Sequence, residues 1–135
     1  MIRGCVIGAG IDLVENERMS QTLQRWDARF KDRVFLPAEQ AYCETKAFPC
    51  NHYAGRFAVK EAVSKAFGTG VGPQLGWCDI EVIRNSETGA PSVELLGKAR
   101  ELADRLGVAG VLISLSHTHN YAIAHALLIA RPETC

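Results

Sequence analysis

The chain has 135 residues, 47% of them hydrophobic, which suits one packed domain over residues 1–135 and excludes a disordered segment. Its 15 basic and 15 acidic residues cancel, so nothing in the charge balance favours a nucleic-acid or membrane-surface protein. Five scattered cysteines, Cys5, Cys43, Cys50, Cys78 and Cys135, form no C-x-x-C pair, so reduced thiols in a cytoplasmic setting are expected rather than a disulfide framework or a zinc site. The opening apolar run from Cys5 to Val14 is broken by glycines and Asp12, and it is too short to span a bilayer.

Val6 to Val14 reads as a buried strand with one charge, Asp12, set between Ile11 and Leu13. Side chains alternate along a strand, so Asp12 faces away from those two aliphatics. Glu15 to Trp26 is helix-permissive. Pro37 is a good first-turn residue for a second helix reaching Thr45, Pro49 ends that region, and Asn51 is placed to cap a third helix. That third helix, Asn51 to Phe67, is the most informative element. Ala54, Ala58, Ala62 and Ala66 make one ridge and Val59, Val63 and Phe67 another, an apolar half that can approach a sheet closely. Arg56, Lys60, Glu61, Ser64 and Lys65 occupy the opposite half, and Gly68 suits a left-handed terminus. Trp77 to Arg84 alternates as a strand, Glu87-Thr88-Gly89 turns, and Ser92 to Leu96 returns. Lys98 to Leu106 forms a helix closed by Gly107. Val111 to Ser116 and Tyr121 to Ile129 are the last strands. The sum is an α+β fold, a mixed and mainly antiparallel sheet packed on a long central helix.

A charge at Asp12, within an apolar strand, is costly unless it is paired or bound to metal. It could cap the following helix or meet an arginine, and Glu61 could simply pair with Lys65 one turn on. If the two carboxylates converge instead, they make a sparse oxygen site of the kind magnesium favours, completed by water and substrate phosphates. Arg56, Lys60 and Lys65 on the same helix half would then suit a pyrophosphate, since phosphoryl transfer needs mainly positioning and charge neutralisation. Gly68-Thr69-Gly70-Val71-Gly72 could cradle phosphate or be a plain turn. It follows a helix and lacks the Walker lysine, so it is not a P-loop. Ser114 and Ser116 share one face and His117 the other, with no nucleophile elbow, which argues against a serine hydrolase. His117 could donate to a phosphate or serve the backbone, whereas His119 and His125 are less distinctive. Arg18, Arg25, Arg29, Lys31 and Arg33 outnumber Asp27 and Asp32 over residues 18–33. That strip is either a solvated helical face or a dock for an acidic protein.

Three blocks, GAGIDLVENER (8–18), AGRFAVKEAVSKAFGTGVG (54–72) and ISLSHTHNYAIAHALL (113–128), resemble the holo-acyl-carrier-protein synthase family of 4′-phosphopantetheinyl transferases. WCDIEVIRNSETGAP (77–91) looks like that family's central hairpin. The resemblance runs nearly end to end, and its middle block is highly specific. It implies the 4′-phosphopantetheinyl transferase fold, a homotrimer with sites shared across subunits, and magnesium held by Asp12 and Glu61 with the coenzyme A pyrophosphate. Arg56, Phe57, Ser64, Lys65, Gly68, Thr69, Pro91, His117 and Thr118 would contact coenzyme A. Arg18, Arg25, Arg29 and Arg33 would meet acyl carrier protein. A carrier serine would attack the β-phosphate and release 3′,5′-ADP, with Lys65 stabilising charge and Glu61 as the candidate base beside Asp12. The stretch Lys46 to His52 is less basic than is usual in the family, which leaves Lys46 and His52 to meet the 3′-phosphate. A magnesium-dependent hydrolase of coenzyme A or a nucleotide, and a non-catalytic carrier-binding module, are the rival readings. The first would need no acceptor protein, and the second would lack at least one of Asp12, Glu61, Lys65 and His117.

Overall fold

A computed structural model describes residues 3–135. Strand β1 (Val6–Glu15) leads directly into α1 (Asn16–Val34), followed by α2 (Pro37–Glu44) and α3 (Pro49–Ala66). A hairpin of β2 (Ile80–Arg84) and β3 (Pro91–Leu95), the helix α4 (Gly97–Leu106), and strands β4 (Val108–His117) and β5 (Tyr121–Ala130) complete the order. The described strands pair only antiparallel, in a three-stranded sheet β1-β5-β4 and a separate two-stranded sheet β2-β3.

Helix α3 lies across the larger sheet because both surfaces are lined with small residues. Ala58, Ala62, Ala122, Ala124 and Ala126 are buried between them. A Cβ on Gly10 would strike the Ala62 carbonyl oxygen and one on Gly8 that of Ala66, so both glycines are needed for the backbone approach. The register pairs Asp12 with Ala124, which turns Asp12 toward α3, while Ile11 and Leu13 stand exposed on the outer face.

Several local expectations change. Helix α3 begins at Pro49, because proline fits the first helical turn, where its missing N–H costs nothing; Asn51 therefore sits inside the helix and caps nothing. Trp77–Asp79 is a 3₁₀ turn held by Asp79 accepting from the Gly76 N–H at 2.7 Å, so the strand starts only at Ile80. Helix α1 continues to Val34 but kinks at Asp27, whose φ is 42°. Gly107 closes α4 at φ 72°, as expected. Cys5 and Cys135 form a disulfide, against the expectation of reduced thiols, while Cys43, Cys50 and Cys78 are free. Their spacing hides this pair, since opposite chain ends meet only because β1 and β5 lie side by side.

Candidate active site

Strand β1 and helix α3 deliver the two predicted acids to one place. Asp12 and Glu61 line a cleft of about 560 Å³ between β1, α1 and α3, together with Arg18, Met19, Phe30 and Phe57. Lys65 does not pair with Glu61 along the helix. Its ammonium donates to Asp12 Oδ1 at 3.0 Å and to the Ile11 carbonyl at 3.1 Å. Burial, and then the negative charge of Asp12, push the Glu61 carboxyl above its ordinary pKa, against an opposing pull from Lys65. Two carboxylates repelling one another across an open cleft are relieved by a cation. Among the described residues no cluster of three or more metal-ligating side chains exists. The donor set is therefore two oxygens' side chains with room for others, which fits magnesium bound jointly by carboxylates, water and phosphate.

The remaining candidates are distributed. Phe57 stacks on Trp77 with ring centroids 5.0 Å apart and forms part of the cleft wall. Arg56, one residue earlier, points elsewhere, into a groove of about 220 Å³ shared with Tyr42, His52, Arg84, Pro91 and His117. The His117 ring lies over Gly55, where a Cβ would come within 2.6 Å of it. Ser64 is fully buried and donates to the Glu61 carbonyl at 2.7 Å, so it opens to neither recess. Gly68, at φ 81°, and Thr69 lie exposed just past α3. Thr118 sits in the β4–β5 turn, its hydroxyl accepting from the Tyr121 N–H at 3.0 Å. Asn16 secures that turn to the start of α1, donating to the His119 carbonyl at 3.1 Å. Arg18, Arg25, Arg29 and Arg33 are all exposed on α1, and none joins a salt bridge among the described residues. The Asp27 kink falls between Arg25 and Arg29, so helical phase does not carry across the strip.

Lys60, expected on the polar half of the helix as support rather than as a catalytic group, turns inward. It is fully buried, and its ammonium donates to Glu39 at 2.6 Å, the Val34 carbonyl at 2.7 Å and the Trp77 carbonyl at 3.1 Å. Glu39 in turn accepts from the N–H groups of Val82 and Leu36, both at 2.8 Å. Lys60 thus belongs to a structural pair beneath the hairpin and not to the phosphate-facing cations. Glu39, its partner, was signalled only by an acid in the first turn of α2. Arg84 was legible only as a polar end of a strand.

Among the described residues no helix is long and apolar enough to cross a membrane. Residues 8–126 match the model of the 4′-phosphopantetheinyl transferase superfamily. A holo-[acyl-carrier-protein] synthase of Syntrophus aciditrophicus is 46% identical over 123 residues, covering 91% of this chain and 95% of the relative. The crystal structure of holo-[acyl-carrier-protein] synthase from Neisseria meningitidis superposes with a TM-score of 0.85 at 25% identity, over 92% of this chain and 98% of that one. The Helicobacter pylori holo-[acyl-carrier-protein] synthase, solved in complex with coenzyme A, gives 0.79 at 32% identity, over 89% and 98%. With its fold, its motif blocks and most of its length in common with these proteins, the chain belongs to the 4′-phosphopantetheinyl transferase superfamily.

Proposed function

We infer that this chain acts as a holo-[acyl-carrier-protein] synthase, transferring the 4′-phosphopantetheine arm of coenzyme A to a serine of apo acyl carrier protein and releasing 3′,5′-ADP. The observation that carries the reading is the shared cleft of Asp12 and Glu61, with Lys65 bonded to the first and Arg18 at the rim. In our proposal these two carboxylates hold magnesium, which when bound neutralises the phosphoryl oxygens. Lys65 places a fixed positive charge where negative charge grows on the leaving phosphate. Glu61 is the base that takes the serine proton, directly or through a water, from its place beside Asp12 in the cleft. Arg56, Phe57, Gly68, Thr69, Pro91, His117 and Thr118 contact coenzyme A, and buried Ser64 acts behind them by fixing the helix at Glu61. The unpaired arginines of α1, at 18, 25, 29 and 33, meet the acidic carrier.

We further propose a homotrimer with shared sites. The outer face of the larger sheet leaves Ile11 58% and Leu13 59% exposed, with Ile123 beside them, a patch of the kind an oligomer covers. Of the coenzyme A candidates, Phe57 lines one recess and Arg56, Pro91 and His117 line another, a division that suits a site assembled from two copies. Leu13→Asp is expected to give a monomer by sedimentation velocity, with transfer abolished; a stable trimer would end this part of the proposal.

Intact-mass analysis of apo acyl carrier protein after incubation with coenzyme A and magnesium tests the activity. One phosphopantetheine should be gained, and Asp12→Ala or Glu61→Ala should reduce the rate at least ~100-fold. Normal turnover in both variants would remove the acids from the mechanism. Consumption of coenzyme A without any acceptor would favour the hydrolase.

A further inference from the structure

Alternation along β1, β4 and β5 sorts their side chains onto two faces of the larger sheet. The inner face carries Asp12 and the alanines buried under α3. On the outer face the strand register lays out three rows across the three strands: Ala9, Leu127 and Leu112; Ile11, His125 and Ser114; Leu13, Ile123 and Ser116. His125 is exposed at the centre of this grid, on the central strand and in the central row. Its neighbours across and along the strands are Ile11, Ser114, Ile123 and Leu127. No other side chain of the three rows is ionisable; the nearest acid in register is Glu15, opposite Tyr121 in the next row. No salt bridge among the described residues reaches these rows.

A homotrimer that closes through this face has one patch with which to meet two neighbours. Three copies of one patch can all touch only if each looks toward the symmetry axis, which brings the patch centre nearest that axis. Three His125 rings then converge in an apolar interior, where a polar atom without a partner is costly. A neutral imidazole offers one N–H and one lone pair. Ser114 can accept the N–H, because residues opposite one another on a sheet face have Cβ atoms about 5 Å apart. Three lone pairs are left to face the axis. One water has two hydrogens and cannot serve all three, whereas a divalent cation can. Three imidazoles with a fourth position open to water suit zinc and its neighbours in the transition series. A hydroxyl on the far nitrogen fixes the ring that ligates.

We propose that the trimer holds one divalent transition-metal ion on its axis, ligated by His125 of each copy, with Ser114 orienting each ring. The inference rests on the trimer proposed above. The ion is structural, since it lies on the face of the sheet opposite Asp12, and it joins three copies through bonds that no single chain can make.

Cobalt(II) is the probe, because a tetrahedral site gives it strong visible absorption, and excess magnesium keeps the cleft of Asp12 and Glu61 occupied. Titration of the intact protein should end at one cobalt per three chains, and the trimer seen by sedimentation velocity should melt at a higher temperature when loaded. His125→Gln should lose the absorption. Leu13→Asp should lose it too, although His125 is intact, because the site exists only between copies. Ser114→Ala should weaken cobalt about tenfold. If His125→Gln fails to assemble, the wild-type stoichiometry and the Ser114→Ala affinity still decide. One cobalt per chain, absorption that survives in His125→Gln or Leu13→Asp, or a wild-type trimer that takes up no cobalt would overturn the metal site and leave the trimer standing. Wild-type affinity in Ser114→Ala would overturn the part given to the serine. Wild-type chains that stay monomeric with and without cobalt would overturn both the site and the trimer.

Discussion

Lys60 and Glu39 illustrate how one residue's role depends on what covers it. In sequence Lys60 sits on the polar half of a helix, between Arg56 and Ser64, and reads as one more cation beside a pyrophosphate. In the fold α2 and the β2–β3 hairpin close over it. Burial lowers its pKa while the Glu39 carboxylate opposes that shift, and every donor of the ammonium is satisfied within the protein. Removing one partner of such a pair strands the other charge in the interior. Lys60→Met should destabilise the fold by about 3–5 kcal/mol in urea titration, and Lys60→Met with Glu39→Met together by distinctly less. A single substitution as stable as wild type would show that water reaches Glu39 after all. The arginines of α1 are the opposite case, exposed and unpaired, so their loss should register in carrier binding and hardly in stability.

At the scale of elements, α1 and α3 set the cleft's walls. Helix α3 is fixed by close packing on glycines and alanines, which leaves Asp12 and Glu61 little freedom to separate. Helix α1 is interrupted by Asp27 at φ 42° and ψ −120°, a conformation that strains any residue with a Cβ. The side chain offers weak compensation, an exposed contact with Lys31 at 3.7 Å. Asp27→Gly should therefore stabilise the protein by about 1 kcal/mol, seen as a higher melting temperature. A lower melting temperature would mean that Asp27 holds the bend through interactions stronger than its strain. Because of the bend, the 18–33 strip does not form one continuous helical face.

For the whole molecule, the Cys5–Cys135 disulfide joins the start of β1 to the chain's last residue, across a sequence separation of 130. The ends are held as well by the Ala130 N–H donating to the Cys5 carbonyl at 2.8 Å. Closing so long a loop restricts the unfolded chain, so reduction by dithiothreitol, or Cys135→Ser, should cost about 2–4 kcal/mol of stability. Transfer activity should persist, because the bond lies away from both recesses. An unchanged melting temperature on reduction would show that the pairing contributes nothing to the folded state.

The sequence by itself determined the element order and the α+β class, and it singled out Asp12 and Glu61 as the two candidate acids. Those features are written locally, in alternation along β1, in the alanine ridge of α3, and in glycines at turns. Motif blocks that specific also carried the family. Only the tertiary structure decided which polar residues of α3 face a recess and which are sealed in. Lys60 and Arg56 look alike in sequence and part company because the hairpin covers one and borders the other. It also decided that Lys65 reaches across to Asp12 rather than along the helix to Glu61, that Arg84 joins Arg56, and that the two terminal cysteines meet. Each depends on contacts between residues far apart in the chain, and a periodic pattern holds no information about distance between elements until they pack.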